Sequence, residues 1–332
     1  MTHHLPDLSN PTALPLHGVF SRDVPPAITV ESGDEVVLST LDAWWGLGDG
    51  DVRRSGLAGH PQRDLGHALT GPIAVRGVVP GDVLAVELLE LVPSQVGFTE
   101  CGGLNTPLYR PLGCHTPPYT RLRWTIGPAH ATARLSVGTT LRVPVAPFPG
   151  VIGLAPAAPG DHPTTPPRRT GGNLDCRLTT AGACLLLPVE VPGGLLSVGD
   201  GHAAQGDGEL CNNGIECALP RVRLRLTLLP GLPHGLPRTP IVWRHDGLAV
   251  LGLGPTLDLA ARDATCAMLD LLTSLLGVSR SEALGAVSVA ADLAVTQAVN
   301  GIVGAHLVIW RHRLDTPELW AVATRRLSPH LP

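Results

Sequence analysis

Glycine and proline recur along the whole chain and limit the length of every regular element. Of the 332 residues, 39 are Gly and 33 are Pro. Glycine adopts backbone conformations that other residues avoid, and proline lacks the N–H that helices and central strands require. A chain of this length can nevertheless bury a sizeable core. We therefore predict many short elements joined by turns, and few long helices.

Six segments are β-branched or alternate between apolar and polar residues, as strands do. The turns S-G-D and P-G-D precede two of them, which favours antiparallel pairing. The clearest is RVRLRLTL, whose alternation indicates a half-buried strand with a solvated arginine face. The segments are residues 27–30, 35–42, 72–79, 82–91, 183–191 and 221–228.

Helical periodicity appears only late in the chain. Apolar residues recur at helical spacing over 257–277, and Ser279 with Glu282 forms a capping box that starts a second helix. Strand-like sequence follows at 292–299 and 305–310. We predict a β-rich α+β fold of mostly antiparallel strands, sandwich-like or barrel-like, with a few helices in the C-terminal half.

A stretch near the midpoint divides the chain. Residues 146–172 are too rich in proline and glycine for regular structure, and we interpret them as a linker or as a long ordered loop over a site. The stretch begins a C-terminal α+β half, residues 146–332, that follows an N-terminal β-rich half, residues 1–145. The two halves form either two domains or one structural unit.

Charge and composition exclude several kinds of function. The net charge of −4 and the pI near 6.4 indicate no basic patch for phosphates, so we expect no nucleic-acid partner. All 24 basic residues are Arg, and without Lys the chain has no Schiff base, no P-loop and neither of the two amidase mechanisms that use a catalytic lysine. Every apolar run is interrupted before the ~18 residues that cross a bilayer, so we expect no membrane partner.

The number and spacing of the cysteines indicate the cellular compartment. The seven cysteines are an odd number without C-x-x-C spacing, and the first residues do not resemble a secretory signal. We therefore expect reduced thiols and a cytoplasmic location.

The densest group of polar side chains lies in GGNLD (171–175) and in the glycine-rich segment 198–216. Closely spaced carboxylates and one histidine on flexible backbone suit a divalent cation such as Zn²⁺ or Ca²⁺. D-G and G-D pairs are also ordinary turn formers, so spacing alone leaves both interpretations open. The group comprises Asp175, Asp200, His202, Asp207, Glu209 and Glu216.

Five long blocks follow one another along the chain: HALTGPIAVRGVVPGDVLAVELLEL (67–91), PFPGVIGLAP (147–156), PPRRTGGNLD (166–175), GDGHAAQGDGELCNNGIE (199–216) and SRSEALGAVSVAADLAVTQAVNGIVGAHLVI (279–309). In this order they resemble the blocks of the acetamidase/formamidase family, and the resemblance runs from about Ser21 to Ile309. The resemblance implies hydrolysis of a short-chain linear amide such as formamide or acetamide, a β-rich fold, a homo-oligomer (dimer or higher) and a divalent metal at the polar cluster. The family positions carried over are Asp42, His67, Asp175, Asp200, His202, Glu209 and Glu216.

Amide hydrolysis requires a polarised carbonyl, an activated water and a proton for the leaving nitrogen. We assign metal ligation, by Zn²⁺ or Ca²⁺, to Asp175, Asp200 and His202, and we expect these residues to lie on loops rather than within strands. Glu216 and Glu209 are the candidate catalytic carboxyls, and we expect Glu216 to carry the proton because burial beside apolar neighbours raises a carboxyl pKa.

Five further residues have weaker assignments. Asp42 and His67 assist the cluster only if the two halves fold together. Gln205 either binds the amide or ties a turn. Cys211 and Cys217 flank the cluster, but the block has no second histidine to activate a thiol, which favours burial over a nucleophilic role.

Two alternatives remain beside the metal-dependent amidase. One is a non-catalytic β-rich binding module in which an acidic loop holds a structural Ca²⁺. The other is an amidase that uses paired carboxylates and free water without a metal.

Overall fold

The computed structural model describes residues 1–46, 65–103, 109–116, 118–229 and 237–327. These residues form 21 β-strands and three α-helices. The first eleven strands are β1 (Thr2–His4), β2 (Leu16–His17), β3 (Val19–Phe20), β4 (Ile28–Val30), β5 (Glu35–Thr40), β6 (Leu69–Val75), β7 (Val83–Val92), β8 (Val96–Cys101), β9 (Thr120–Ile126), β10 (His130–Arg134) and β11 (Thr140–Pro144). The other ten are β12 (Phe148–Gly153), β13 (His162–Pro163), β14 (Gly171–Asn173), β15 (Cys184–Pro188), β16 (Leu196–His202), β17 (Leu219–Leu229), β18 (Ile241–Arg244), β19 (Gly247–Gly254), β20 (Ala291–Gln297) and β21 (Val303–Trp310).

The helices are α1 (Leu257–Leu276), α2 (Arg280–Ala290) and α3 (Pro317–Leu327), and a short 3₁₀ helix spans Pro11–Ala13. All three α-helices lie in the C-terminal half, which confirms the prediction of a β-rich α+β fold. Among the described residues, no helix is both long and apolar enough to cross a lipid bilayer.

Four sheets organise the strands. The largest has nine strands in the order β1-β5-β17-β7-β15-β18-β19-β21-β20, all antiparallel except the β1–β5 pair. A second sheet has the order β14-β12-β16-β6-β2, with β4 added in parallel to β6. A four-stranded sheet (β11-β10-β9-β8) and the β13–β3 pair complete the set, and none of these described sheets closes into a barrel. Each of the two largest sheets contains strands from both halves of the sequence.

Strand β7 shows how the layers are stacked. Its residues Leu84 and Val86 pack in a core shared with Ile73 and Ile152 of the six-stranded sheet. Its alternate residues belong to a second core, which contains the buried side chains of α1. Because successive side chains of a strand point to opposite faces, this part of the nine-stranded sheet is buried on both sides. The six-stranded sheet packs on one face and α1 packs on the other.

Both predicted helices have the predicted ends. The Thr256 hydroxyl accepts from the backbone N–H of Leu259 at the start of α1, and Gly277, in the left-handed conformation (φ 70°), ends the helix. Ser279 and Glu282 form the capping box of α2. Helix α3 has no counterpart among the periodic segments noted in the sequence.

The prediction that residues 146–172 lack regular structure was wrong. They contain β12 and β13, and β14 begins at their end. Strand β12 pairs with β14 on one side and with β16 on the other, so its backbone is hydrogen-bonded within the sheet. Glycine makes the close pairing possible, because a Cβ at Gly153 would lie 2.1 Å from the backbone nitrogen of Gly172.

The arginine face of the predicted strand at 221–228 is less solvated than expected. Strand β17 lies between β5 and β7, where Arg225 is opposite Glu35 on one neighbour and Glu87 on the other. Its guanidinium nitrogens lie 2.7 Å from Glu35 Oε1 and 2.9 Å from Glu87 Oε2. The side chain of Glu87 is fully buried. The acidic neighbours turn this face into an ion-pair network.

Substitution Arg225→Ala should lower the free energy of unfolding by about 3 kcal/mol, because it leaves the buried Glu87 carboxylate without its cation. Urea denaturation measures the change. The exposed pair of Arg76 with Glu31 provides the control, since Arg76→Ala should cost less than about 1 kcal/mol. Equal effects of the two substitutions would contradict the assigned role of Arg225.

Candidate active site

Three neighbouring strands bring the candidate metal ligands together. Asp200 and His202 lie on β16 and, two residues apart, point to the same face of the sheet. Asp175 follows the end of β14, which pairs with β12 on the side opposite β16. We expected Asp200 and His202 on a loop, and this was wrong, because β16 continues through both residues.

Between them, Gly150 of β12 leaves space for the cluster. A Cβ at this position would lie 2.6 Å from Asp200 Oδ2, 2.8 Å from Asp175 Oδ1 and 3.0 Å from His202 Cε1. Any side chain larger than hydrogen would therefore collide with all three candidate ligands.

Two glutamates complete a cluster of five buried ionisable groups. Glu216 is held beside His202 by an isolated antiparallel bridge. His202 Nε2 lies 2.9 Å from Glu216 Oε1 and 3.4 Å from Asp200 Oδ1. The ligand atoms of Asp175, Asp200 and His202 lie within 4.8 Å of one another, and so do those of His202, Glu209 and Glu216. His202 thus belongs to both groups of three.

Unsatisfied polar atoms are concentrated at this cluster. Within the described part of the chain, fifteen buried side-chain N or O atoms have no hydrogen-bond partner of good geometry, and seven of them are here. Buried polar groups are normally hydrogen-bonded, so such a concentration indicates a place for a ligand or an ion. The seven atoms are Asp175 Oδ1, Asp200 Oδ1, His202 Nδ1, His202 Nε2, Gln205 Oε1, Glu209 Oε2 and Glu216 Oε2.

The backbone is strained at the same place. Asp175, Asp200 and Glu209 have φ values of 46°, 56° and 46°, in the left-handed region that non-glycine residues rarely adopt. Such conformations persist where the surrounding structure enforces them, and they cluster at functional sites. The strain therefore supports a functional role for the cluster.

Burial raises the pKa of three of the four carboxyls. It raises the pKa of Asp175 to about 7, with a further contribution from the charge of Asp200. It raises the pKa of Glu216 to about 8. The pKa of Glu209 is raised well above its ordinary value by burial and then by the charge of Asp175. Near neutral pH this cluster therefore requires bound protons or a compensating cation.

His202 and Asp200 stabilise each other's charged forms. Burial by itself disfavours the imidazolium, but the charges of Glu216 and Asp200 raise the pKa of His202 well above its ordinary value. Burial likewise opposes ionisation of Asp200, yet His202 holds the pKa of Asp200 below its usual range. A cation can take the place of the imidazolium proton, because a metal-ligating imidazole is neutral. The donor set and its unpartnered atoms therefore fit a divalent metal ion.

His67 lies at the cluster and Asp42 lies beside it. His67 lines a cavity of about 190 Å³ together with Asp200, Glu209 and Glu216, and we call this space the site cavity. The Nδ1 atom of His67 is 2.8 Å from the hydroxyl oxygen of Thr164.

Asp42 accepts hydrogen bonds at Oδ1 from the backbone N–H groups of Trp44 (2.9 Å) and Gly46 (3.0 Å), so it orders the turn that carries Trp44. It also lines a separate cavity with Glu216.

The other candidates have local structural partners. Gln205 Nε2 donates a hydrogen bond to the backbone oxygen of Asp175 at 2.8 Å and so stabilises the turn at Asp175. Asp207 forms an ion pair with Arg177, 2.8 Å away. Burial raises the pKa of Cys211 to about 11 and that of Cys217 to about 12. Neither thiol is therefore a ready thiolate nucleophile.

Sequence analysis missed two residues that shape the cluster. Asn300 Nδ2 donates to Asp175 Oδ2 at 2.8 Å from a left-handed backbone conformation (φ 63°). The Asn-Gly pair at 300–301 is a turn signal that could have marked this position. Gly150 lies within the PFPGVIGLAP block, but its steric role depends on strand pairing that the sequence does not state.

Comparison with known proteins identifies the family. A model described as the Acetamidase/Formamidase family matches residues 7–160 and 159–304. The chain therefore belongs to the acetamidase/formamidase family, which confirms the resemblance seen in the sequence blocks. The matched ranges include all five residues of the buried cluster.

Individual relatives are similar at modest identity. An acetamidase of Mycolicibacterium smegmatis is 28% identical over 265 residues, which cover 60% of this chain and 62% of the relative. A formamidase of Methylophilus methylotrophus is 27% identical over 257 residues, or 59% of each chain. The chain thus spans about three fifths of the length of the curated relatives that it matches. The crystal structure of an acetamidase from Bacillus halodurans superposes with a TM-score of 0.77 at 28% identity, covering 90% of this chain and 95% of the other.

Substitution Gly150→Ala should weaken binding of a divalent cation by about tenfold or more, because the added methyl group pushes Asp175, Asp200 and His202 apart. Equilibrium dialysis with Zn²⁺ measures the effect. The control is Gly285→Ala on α2, where a Cβ would meet nothing within 4 Å. Unchanged Zn²⁺ binding by a folded Gly150→Ala variant would show that the cation lies elsewhere.

Proposed function

We propose that this protein hydrolyses the C–N bond of a short-chain linear amide such as formamide or acetamide, giving a carboxylate and ammonia. One observation carries the proposal: the buried cluster of Asp175, Asp200, His202, Glu209 and Glu216 beside a cavity, with unpartnered atoms on every member. Membership of the acetamidase/formamidase family, with relatives named acetamidase and formamidase, supports the same activity.

We further propose that Asp175, Asp200 and His202 hold the cation and that it is Zn²⁺. Zinc accepts carboxylate oxygen and imidazole nitrogen, and catalytic zinc sites commonly have three protein ligands. Calcium prefers oxygen ligands throughout, which an imidazole does not supply. When bound, a zinc ion supplies Lewis acidity and lowers the pKa of water to about 7.

A carboxyl group of the protein then transfers the proton. Glu216 Oε1 accepts a hydrogen bond from the backbone N–H of Gly214 at 3.0 Å, which orients the carboxyl group. Its Oε2 atom has no partner and is the oxygen that takes a proton from water as the water attacks the amide carbon. The same oxygen delivers the proton to nitrogen as the C–N bond breaks and ammonia leaves. A pKa raised to about 8 by burial suits both steps near neutral pH.

The remaining groups position or tune this carboxyl. Asn300 holds Asp175 Oδ2, so that Oδ1 remains available to the cation. His67 and Glu209 both line the site cavity. We assign Glu209 as the second catalytic carboxyl, which acts on the same water or on the amide nitrogen.

The two alternatives are less well supported. A structural Ca²⁺ site needs neither the imidazole nor a cavity beside the carboxyls. A metal-free amidase leaves Asp175 Oδ1 and His202 Nδ1 without partners, which is unfavourable for buried groups.

The proposal also covers the cellular compartment and the oligomeric state of the protein. All seven cysteines are free in the structure, which accords with a reducing compartment, and we infer a cytoplasmic protein. We also infer a homo-oligomer of two or more copies, as the family resemblance suggests. Sedimentation velocity of the purified chain tests the assembly.

Ammonia release from formamide, acetamide, propionamide and urea tests the activity. We expect release from at least one linear amide, loss of release after treatment with a chelator, and recovery on addition of Zn²⁺.

Substitution His202→Ala should lower zinc content and activity together, whereas His312→Ala, at an exposed position, should change neither. Full activity in protein shown to contain no metal would refute the cation, and full zinc content without activity would make His202 an acid/base group.

Substitution Glu216→Gln should lower kcat by about 10²-fold or more with the fold and the zinc content intact, because it nearly preserves shape and removes the ionisable proton. The control is Glu318→Gln, an exposed carboxyl on α3, which should behave like the wild type. Near-normal turnover by Glu216→Gln would remove Glu216 from the proton transfer and leave Glu209 as the acid.

A further inference from the structure

A second, larger space adjoins the site cavity. Its volume is about 830 Å³, compared with about 190 Å³ for the site cavity. Trp44, Asn212, Asn213 and Asn300 line both spaces, so the two are contiguous. We call the larger space the outer chamber. A ligand whose amide group is held at the buried cluster has room to extend into it.

Aromatic side chains are concentrated around the outer chamber. The chain has only two tyrosines, and both of them, Tyr109 and Tyr119, line this space together with Trp44. Trp44 is 42% exposed and Tyr119 is 49% exposed, and no other aromatic side chain of the described residues is as exposed as these two. Aromatic rings on the wall of a cavity provide apolar contact area at low entropic cost. Their position favours an apolar ligand.

The described residues that line the outer chamber carry no uncompensated charge. Glu100 is the one carboxylate among them, and Arg121 Nε lies 2.6 Å from Glu100 Oε1, which compensates the charge. The hydroxyl of Tyr109 donates to the backbone oxygen of Cys211 at 2.6 Å, so the ring rather than the hydroxyl faces the ligand. The polar asparagines lie where the chamber meets the site cavity. The chamber therefore suits an uncharged apolar group attached to a polar head.

Size distinguishes this ligand from the smallest amides. A water occupies about 30 Å³ in the liquid, so acetamide, with four heavy atoms, requires on the order of 100 Å³. The site cavity alone provides that volume. A substrate no larger than acetamide would leave the outer chamber and its aromatic wall without a role.

We infer that the preferred substrate is a primary amide whose acyl group carries an aromatic or branched aliphatic substituent, and that this substituent fills the outer chamber. The inference rests on the proposed amide hydrolysis and extends its substrate class from short-chain amides to primary amides with a bulkier acyl group. The amide head lies at the buried cluster, and Trp44, Tyr109 and Tyr119 contact the substituent. The products are the corresponding carboxylic acid and ammonia.

Steady-state kinetics with phenylacetamide and acetamide test the inference. We expect kcat/KM for phenylacetamide to exceed that for acetamide by about tenfold or more, because even one methylene group in a fitted pocket changes kcat/KM by about tenfold or more. Hydrolysis of acetamide with little or no hydrolysis of phenylacetamide would overturn the inference and leave the proposed function in place. Release of ammonia from neither of these amides, nor from formamide or propionamide, would reject both.

Substitutions that fill the outer chamber provide a second test of the inference. Ala298 and Val303 line it, and Ala298→Phe or Val303→Phe should lower the ratio of the two kcat/KM values, phenylacetamide over acetamide, by about tenfold. The matched control is Ala286→Phe on α2, away from the chamber, where the ratio should stay at its wild-type value. An unchanged ratio in both folded variants would overturn the inference.

The exposed aromatic surface could instead belong to an interface between copies of this chain. Sedimentation velocity of wild type, Ala298→Phe and Val303→Phe decides the point. An unaltered oligomeric state together with the altered ratio supports a substrate chamber. Dissociation of the variants, together with a wild-type enzyme that does not favour phenylacetamide, would assign the surface to assembly and overturn the inference.

Discussion

The rest of the protein supports one arrangement: a buried imidazole surrounded by four buried carboxyl groups. Burial raises the pKa of three of these carboxyls. Asp200 and Glu216 stabilise the charged form of His202. Such a cluster is unfavourable without compensation, since charges removed from water require a partner. A divalent cation would meet this requirement. Under the proposed function, the same imbalance that would destabilise an ordinary core favours metal binding and a carboxyl group that exchanges a proton near neutral pH.

The sheet architecture makes the cluster rigid. Asp200 and His202 lie on β16, and Asp175 follows the end of β14 on the other side of β12. Backbone hydrogen bonds to β12 therefore set the separation of these residues. Gly150 provides the space between them. Residues on strands are positioned more precisely than residues on loops. The six-stranded sheet is in turn packed on the nine-stranded sheet, whose strand β7 is buried on both faces, and the helices cover the far side.

Under the proposed function, chemistry and selectivity are divided between two adjoining spaces. The ionisable groups of the cluster line the site cavity, and aromatic and mostly uncharged side chains line the outer chamber, where Glu100 is paired with Arg121. Trp44 lines both spaces, and Asp42 orders its turn through two backbone hydrogen bonds. Because the wall of the chamber contributes no group to the proposed proton transfer, a change in that wall alone would change the acyl group accepted and leave the proposed reaction the same.

The sequence by itself determined the β-rich class, helix α1, the capping box of α2 and the family, because turn residues, periodicity and caps are local signals. It also drew attention to Asp175, Asp200, His202, Glu209 and Glu216 through their spacing. The tertiary structure alone decided that β12 forms within a proline-rich stretch, that Gly150 separates the ligands, and that Asn300 holds Asp175 from 125 residues away. These features depend on which strands become neighbours, and strand pairing is set by long-range packing rather than by local sequence.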